Sequence, residues 1–266
     1  MSKLNVKIIA HTLNPEETIA CAGKLCYSKV GVNQIAEKQS EEDIDRFVNM
    51  LSSIGHESPL EHASFTFAVE GISRACSHQL VRHRMASYSQ QSQRYVDLKN
   101  TYEYITPPVI SENNYINEIY NKAMEQAFEN YVKLSEEILL SKIYDYLVEK
   151  DEICNPDSKF MKDYMIQNHK KKYNSFVKES IEDARYVLPN ACETKIVFTM
   201  NGRSLLNFLK HRECRRAQWE IRELASEMRK QLIEIAPSLF SRSGAECRRG
   251  KCPEGHMSCG QPYPKM

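Results

Sequence analysis

The sequence predicts a mixed α/β (α+β) fold: one domain in which a sheet carries several long helices. Three observations lead there. Short stretches alternate apolar and polar residues, as at Phe65, Phe67 and Val69, which is the period of a half-buried strand. Longer stretches repeat apolar residues at helical spacing, as at Ile116, Ile119, Ala123, Ala127, Tyr131, Leu134 and Ile138. Finally, 266 residues suit one large domain, which at that size buries about three quarters of its unfolded surface without needing disulfides.

In chain order, residues 5–10 read as a first strand and 15–28 as a short helix with Ile19, Ala20, Ala22 and Leu25 on its apolar positions. Ser40, with Asp43 three residues on, is a capping pair. The helix it starts carries Ile44, Phe47, Val48 and Leu51 and stops at Gly55, a left-handed cap. Residues 64–70 form a strand. Residues 72–86 read as a helix ending in Arg82, His83 and Arg84, and 87–95 as a polar loop. A long helix spans 112–149. Residues 150–174 break the pattern with Asn-Pro-Asp and His-Lys-Lys-Lys and read as a surface excursion, His169–Lys172 being a solvated basic turn. A helix over 175–188 is stopped by Pro189, and 192–200 is a strand. Asn201-Gly202 turns the chain into a helix with Leu205, Leu206, Phe208 and Leu209. A second long helix holds Trp219, Leu224, Met228, Leu232 and Ile235 and ends before Pro237. The division expected is one domain over 1–241 and a Cys-rich tail over 242–266.

Composition narrows the function classes. Thirty-six basic residues against 35 acidic ones leave a net charge of +1, so no global field draws nucleic acid and any anion site must be a local cluster. No apolar run approaches the ~18 residues of a membrane span. The amino-terminal segment is too polar for a secretory signal, so nine cysteines read as reduced thiols in a cytoplasmic protein.

The densest chemistry lies from Gln79 to Arg94, QLVRHRMASYSQQSQR. Guanidinium groups bind phosphate in two-pronged fashion, and the interleaved serines and glutamines add neutral hydrogen bonds. This suits a phosphorylated small molecule whose ring also needs polar recognition; a solvated basic turn is the plainer reading. The second cluster, NGRSLLNFLKHRECRR, places Arg203, Asn207 and His211 on one helical face and makes Arg212 and Arg216 a like-charge i, i+4 pair, which needs an anion or free solvation. The segment His56 to His62 lacks helical register because Pro59 interrupts it, so a polar loop facing a pocket is favoured over a metal site. No glycine-rich phosphate loop occurs, so arginines must hold any cofactor phosphates. Cys76, Cys192 and Cys214 are candidate nucleophiles, with small buried thiols as the default reading.

RHRMASYSQQSQR resembles the signature of the flavin-dependent thymidylate synthases: R-H-R, a serine three residues on (Ser87), then S-x-R (Ser92, Arg94). HESPLEH followed by FTF, ARYVLP at 184–189 and NGRSLLNFLKHR…AQWE at 201–220 resemble the family's flanking segments in the same order. The resemblance implies a mixed, mostly antiparallel sheet flanked by several long helices, in a homotetramer whose sites are shared between chains. It implies that dUMP is methylated to dTMP, with methylenetetrahydrofolate as carbon donor and NADPH-reduced FAD as hydride donor, and with neither nucleic acid, membrane nor metal involved.

Residue by residue, the resemblance assigns FAD to Ser58, Arg82, His83, Arg84, Gln90, Asn201, Gly202, Arg203 and Asn207. It assigns dUMP to Gln79, Leu80, Val81, Arg82, Gln90, Gln91, Ser92, Gln93, Arg94, Arg185 and Arg212. Arg212 is the implied catalytic residue, a fixed cation that polarises the uracil without a cysteine nucleophile, and Ser92 is a positioner. Three positions depart from the family's usual pattern: Ser89 for Asn, Gln90 for Glu and Arg216 for His.

The tail, with Cys247, Cys252, His256 and Cys259, stands outside that signature and is expected to be flexible and reduced, a Cys3His zinc site being the alternative. A nucleic-acid-binding module is the rival class, on the strength of HKKK, HRECRR and CRRGK; the neutral net charge and absence of a known binding motif count against it. A purely structural helical protein leaves the Ser/Gln/Arg stretch unexplained.

Overall fold

The computed structural model describes residues 3–29, 31–35, 39–96, 98, 102–152 and 157–265. In chain order the elements are β1 (Asn5–His11), α1 (Pro15–Tyr27), α2 (Val32–Ile35), α3 (Glu41–Ile54), β2 (Ser64–Ser73), α4 (Arg74–Leu80) and β3 (Ala86–Gln90). There follow α5 (Pro108–Ser111), α6 (Asn114–Glu149), α7 (Ser158–Asn168), α8 (Lys170–Ala184), β4 (Glu193–Asn201), α9 (Gly202–Arg212), α10 (Trp219–Ile235) and α11 (Pro237–Phe240). None of the described helices is long and apolar enough to cross a membrane. The chain divides into two compact units: Lys3–Gln90 with Thr194 onward, and Gln91–Glu193.

The first unit is mixed α/β. Its four-stranded sheet runs β1-β2-β4-β3, and both outer pairs, β1/β2 and β3/β4, are antiparallel. Period-2 alternation in the central strands buries Phe65, Phe67 and Val69 on one and Ile196, Phe198 and Met200 on the other. Phe67 stacks on Phe198 at 5.3 Å between ring centres. The helices close this core with Ile19 and Leu51, Leu205, Phe208 and Leu209, and Leu224, Met228 and Leu232. Each such side chain contributes about 1.5–3 kcal/mol by leaving water. The edge strand β1 is held by one side chain of α10: Gln231 accepts from Ile8 N at 2.9 Å and donates to Val6 O at 2.8 Å. The capping pair expected at α3 is present: Ser40 Oγ accepts from Asp43 N at 3.2 Å and donates to Asp43 Oδ2 at 2.8 Å. Gly55 ends the helix at φ 74°.

The second unit is helical. The α6 helix packs along α8 and α7, burying Leu139, Ile143 and Leu147 against Met161, Met165 and Phe176. A second cluster joins Leu98, Tyr131, Ile181, Ala184 and Cys192.

The structure corrects four of the expected elements. The helix expected over 72–86 is helical only from Arg74 to Leu80, because β2 continues to Ser73 and that serine caps the helix. Residues 87–95 are not all loop: Ala86–Gln90 is the edge strand β3, paired Ser87↔Thr199 and Ser89↔Val197. A strand with one paired edge and serines facing solvent carries no apolar alternation to read. The expected excursion over 150–174 contains α7, with Met161 and Met165 buried, and the first turn of α8, so between α7 and α8 only His169 is non-helical. Asn155-Pro156 of its breaker motif lies outside the described residues. The expected helix 175–188 begins instead at Lys170 and tightens into a 3-10 turn over Arg185–Val187.

Candidate active site

Two helix starts in the α/β unit position the candidate side chains. Asn201 closes β4 and caps α9, its Oδ1 accepting from Ser204 N at 2.8 Å. Arg203 therefore sits in the first turn, Asn207 in the second and Arg212 in the last. Gly202 is buried, its N–H donating to Ala63 O at 2.8 Å, and a Cβ there would lie 2.8 Å from Leu60 O. The second start is Ser73. Its Oγ accepts from Cys76 N at 3.0 Å, while its N–H and O–H donate to the two carboxylate oxygens of Glu220 at 2.5 and 2.6 Å. Glu220 is buried; burial pushes its carboxyl pKa up, and the Ser73 bonds pull it down. With α4 so anchored, the chain leaves it at Leu80 and turns through Arg82, His83 and Arg84. The Tyr88 hydroxyl points at the carbonyls of Leu80 and His83, at 2.9 and 2.8 Å.

That turn meets the last turn of α9. Arg212 Nε donates to His83 Nε2 at 2.9 Å, and the His83 ring lies edge-on to Phe208 at 4.9 Å. Arginine has no acceptor, so His83 must present a lone pair at Nε2 and carry its proton on Nδ1. Burial, then the charge of Arg212, then His211, lower the His83 pKa to about 4, and the ring is neutral at pH 7. The terminal nitrogens of Arg212 make no hydrogen bond among the described residues, so its planar fork retains two donor nitrogens.

His83 borders two hollows. One, of about 760 Å³, is lined by Arg82, Arg84, Asn201, Arg203, Asn207, Lys210 and Arg249, with Glu57, Glu61 and Glu246 as the acidic groups. Arg203 is held by Glu57 at 3.0 Å and Glu61 at 2.6 Å, and Lys210 pairs with Glu246. Arg82, Arg84 and Arg249 make no ion pair among the described residues, so the hollow carries uncompensated positive charge. Such a wall fits a diphosphate-bearing dinucleotide, and FAD passes this test. The other hollow, of about 630 Å³, is lined by His83, Lys210, His211, Arg212, Cys214, Arg216, Cys247 and Cys252, among others.

Several expected site residues are placed differently from their motif. Arg203 and Asn207 face the first hollow and His211 the second. Arg216 falls beyond the end of α9, so the expected i, i+4 repulsion with Arg212 does not arise; Arg216 pairs with Glu254 at 2.5 Å. Ser58 lies on a 3-10 turn with its Oγ 3.2 Å from His56 Nε2. Leu80 is wholly buried, leaving only its main chain to meet a ligand, whereas Val81 is exposed. Gln79 is half-buried at the end of α4. Gln90 uses its amide nitrogen on Ser77 Oγ at 2.9 Å and Thr194 Oγ1 at 3.1 Å.

Gln91, Ser92, Gln93, Arg94 and Arg185 belong to the helical unit. There Arg94 pairs with Glu182, at 2.7 Å from Nε and 3.1 Å from Nη2, and Arg185 Nε donates to Glu182 O at 3.1 Å. Ser92 Oγ accepts from Arg94 N at 3.2 Å, and Gln93 donates to Cys192 Sγ at 3.4 Å. Cys76 is buried and its thiol pKa is pushed far up by burial, so it holds its proton at neutral pH and cannot serve as a thiolate.

Sequence reasoning missed the acidic partners: Glu57 and Glu61 on Arg203, Glu182 on Arg94, and Glu220 under α4. The tail expected to be flexible instead packs on the α9–α10 turn, with Ser243 and Ala245 buried. Among the described residues no three His, Cys, Asp or Glu side chains are grouped to hold a metal, so Cys247, Cys252, His256 and Cys259 do not converge.

Comparisons with known proteins place the chain in a family. Residues 7–238 match the family described as thymidylate synthase complementing protein. A flavin-dependent thymidylate synthase of Clostridium tetani is 50% identical over 258 residues, covering 97% of this chain and 94% of that protein. Proteins of the same name from Geobacter sulfurreducens and Pyrococcus furiosus are 40% and 36% identical, covering 97% and 94% of this chain and 94% and 90% of their own lengths. The chain belongs to the flavin-dependent thymidylate synthase family.

Proposed function

We propose that this protein methylates dUMP to dTMP, taking the carbon from methylenetetrahydrofolate and the hydride from FAD reduced by NADPH. The observation that carries the reading is the wall of unpaired guanidinium groups, Arg82 and Arg84, meeting Arg212 across His83. When bound, FAD supplies the hydride that completes the new methyl group. Arg82, Arg84 and Arg203 bind its phosphates, with Ser58, His83, Gln90, Asn201, Gly202 and Asn207 completing the cradle. Gln79, the main chain of Leu80 and Val81, Arg82, Gln90, Gln91, Ser92, Gln93, Arg94 and Arg185 hold dUMP, with Ser92 as a positioner. Arg212 acts on the uracil. Its Nε is taken by neutral His83, which fixes the plane of the guanidinium, and its two remaining nitrogens stabilise negative charge as it develops on the ring.

Residues 1–241 work as one catalytic domain with 242–266 as its tail. The enzyme is a homotetramer with sites shared between chains; apolar side chains left exposed along α6, among them Tyr115, Ile116, Ile119 and Val148, support a subunit interface there. Thiols at Cys21, Cys26, Cys214 and Cys247 favour the reducing cytoplasm. The test is direct: the purified protein should show flavin absorbance that bleaches with NADPH, and should form dTMP from dUMP and methylenetetrahydrofolate. Absence of flavin after FAD is supplied would refute the assignment.

A further inference from the structure

The residue after the candidate catalytic arginine is a buried carboxylate, and the carboxy-terminal segment is built around it. Glu213 is 2% exposed. Its Oε1 accepts from Arg248 Nη2 at 2.9 Å, and Arg229 Nε stands 3.9 Å from its Oε2. Gly244, at φ 101°, packs so closely that any Cβ there would collide with Oε2. The main chain of Glu213 is held as well. Its N–H donates to Leu209 O at 3.0 Å, and its carbonyl, one of those a helix end leaves without a partner, accepts from the Tyr263 hydroxyl at 3.0 Å. The Tyr263 ring lies against two guanidinium groups, 4.0 Å from that of Arg248 and 4.7 Å from that of Arg215. Arg215 Nη1 also donates to Gln261 at 3.1 Å. The family match ends at residue 238, so Gly244, Arg248 and Tyr263 lie outside it.

We infer that Glu213 is a positioning residue: Arg248 and Tyr263 of the tail grip its carboxylate and its carbonyl, and so lock the last turn of α9 in the register that brings Arg212 onto His83. This rests on the role proposed for Arg212, but its geometric part does not. An ion pair this deeply buried is poor at adding stability and good at specifying one arrangement, because loss of either partner strands a charge away from water. Arg212 and Glu213 are adjacent, so a shift of the gripped carbonyl moves the arginine with it, and displacements of about 1 Å are enough to cost a hundredfold in rate.

His83 reports the position of Arg212 without turnover. Its hollow is walled by Lys210, His211 and Arg212 from α9, by Arg216 beyond it, and by Glu246 and Glu254 from the tail. Withdrawal of Arg212 removes the nearest cation and hydrogen bond while the burial that is the larger cause remains, so the imidazole should titrate above about 4 but below its ordinary 6.5.

The experiment uses the full-length protein with carbon-13-labelled histidine, the His83 signal being assigned by its loss in His83→Gln. Imidazole titration is followed in wild type, in Tyr263→Phe, in Arg248→Met, and in the double variant Glu213→Gln/Arg248→Met, which removes both charges and leaves none stranded. The expected result is a rise of the His83 titration in Arg248→Met and in the double variant. In the flavin-loaded enzyme, kcat for dTMP should fall at least tenfold in both, with KM for dUMP little changed, and by a smaller factor in Tyr263→Phe. If Arg248→Met does not fold, the double variant decides. A folded double variant whose His83 titrates as in wild type and whose kcat is intact would overturn the inference. A wild type that forms no dTMP would refute the proposed function instead, while the His83 titration would still decide the clamp.

Discussion

Arg212→Lys is the most discriminating single change, because it preserves the charge and removes only the geometry. In the structure one nitrogen of the guanidinium is committed to His83 at 2.9 Å. The other two are fixed by the planarity of the group and have no protein partner among the described residues. A lysine ammonium is a single point on a flexible stem: it can meet His83 or the ligand, but not both in one plane. Loss of one preorganised donor at developing charge costs about 10²–10³ in rate, or about 2.7–4 kcal/mol of barrier. Single-turnover formation of dTMP should therefore fall by that factor in Arg212→Lys and at least as far in Arg212→Ala. If FAD binds in the first hollow as proposed, flavin reduction by NADPH should survive in both. Near wild-type dTMP formation in either variant would show that Arg212 is not the group acting on the uracil, and the reasoning from its orientation would fail with it.

Other expectations follow from single contacts. Arg94→Ala should weaken dUMP binding about ten- to a hundredfold, a phosphate contact being worth about 1.5–3 kcal/mol, with FAD binding unchanged; calorimetric titration of both ligands checks this. Glu182→Gln should tighten dUMP several-fold in the same titration, because Arg94 would no longer need to leave a carboxylate 2.7 Å away. Cys76→Ser and Cys214→Ser should retain substantial turnover, and a well-folded but inactive variant of either would contradict the absence of a cysteine nucleophile. Phe198→Ala, at the centre of the sheet core, should cost about 3–5 kcal/mol in denaturant unfolding. Stability should also fall with acid. The folded His83 holds off its proton until about pH 4 while the unfolded chain takes one up near 6.5, so its contribution is present above pH 6.5 and is lost as pH falls to about 4. A melting temperature that stays flat in His83→Gln over that window, while wild type declines, is the expected signature.

The parts of this protein legible in its sequence are those whose physics is local. Ser40, Asp43 and Gly55 announce a helix within one turn of each end, and the alternation of Phe65, Phe67 and Val69 follows from pleating alone. Strand β3 was hidden because its pairing energy comes from β4, more than a hundred residues on, while its own serines face water. The RHR turn likewise carries no local breaker to separate it from the helix before it. The groups that hold α4 are distant in sequence or read as loop: the carboxylate of Glu220 meets Ser73 where the helix begins, and the Tyr88 hydroxyl meets the carbonyls of Leu80 and His83 where it has ended. The site divides along the same line. Cations could be found, because phosphate chemistry demands arginine and clusters of arginine stand out in a neutral chain. The acids that aim those cations could not: Glu57, Glu61, Glu182 and Glu213 are ordinary surface types in the sequence and acquire meaning only through partners such as Arg203, 146 and 142 residues from the first two. A charged site is thus half readable from sequence, in the groups that meet the ligand. The groups that hold those in place become visible only when long-range packing delivers them, and for that reason the carboxy-terminal clamp on Glu213 could emerge only from the structure.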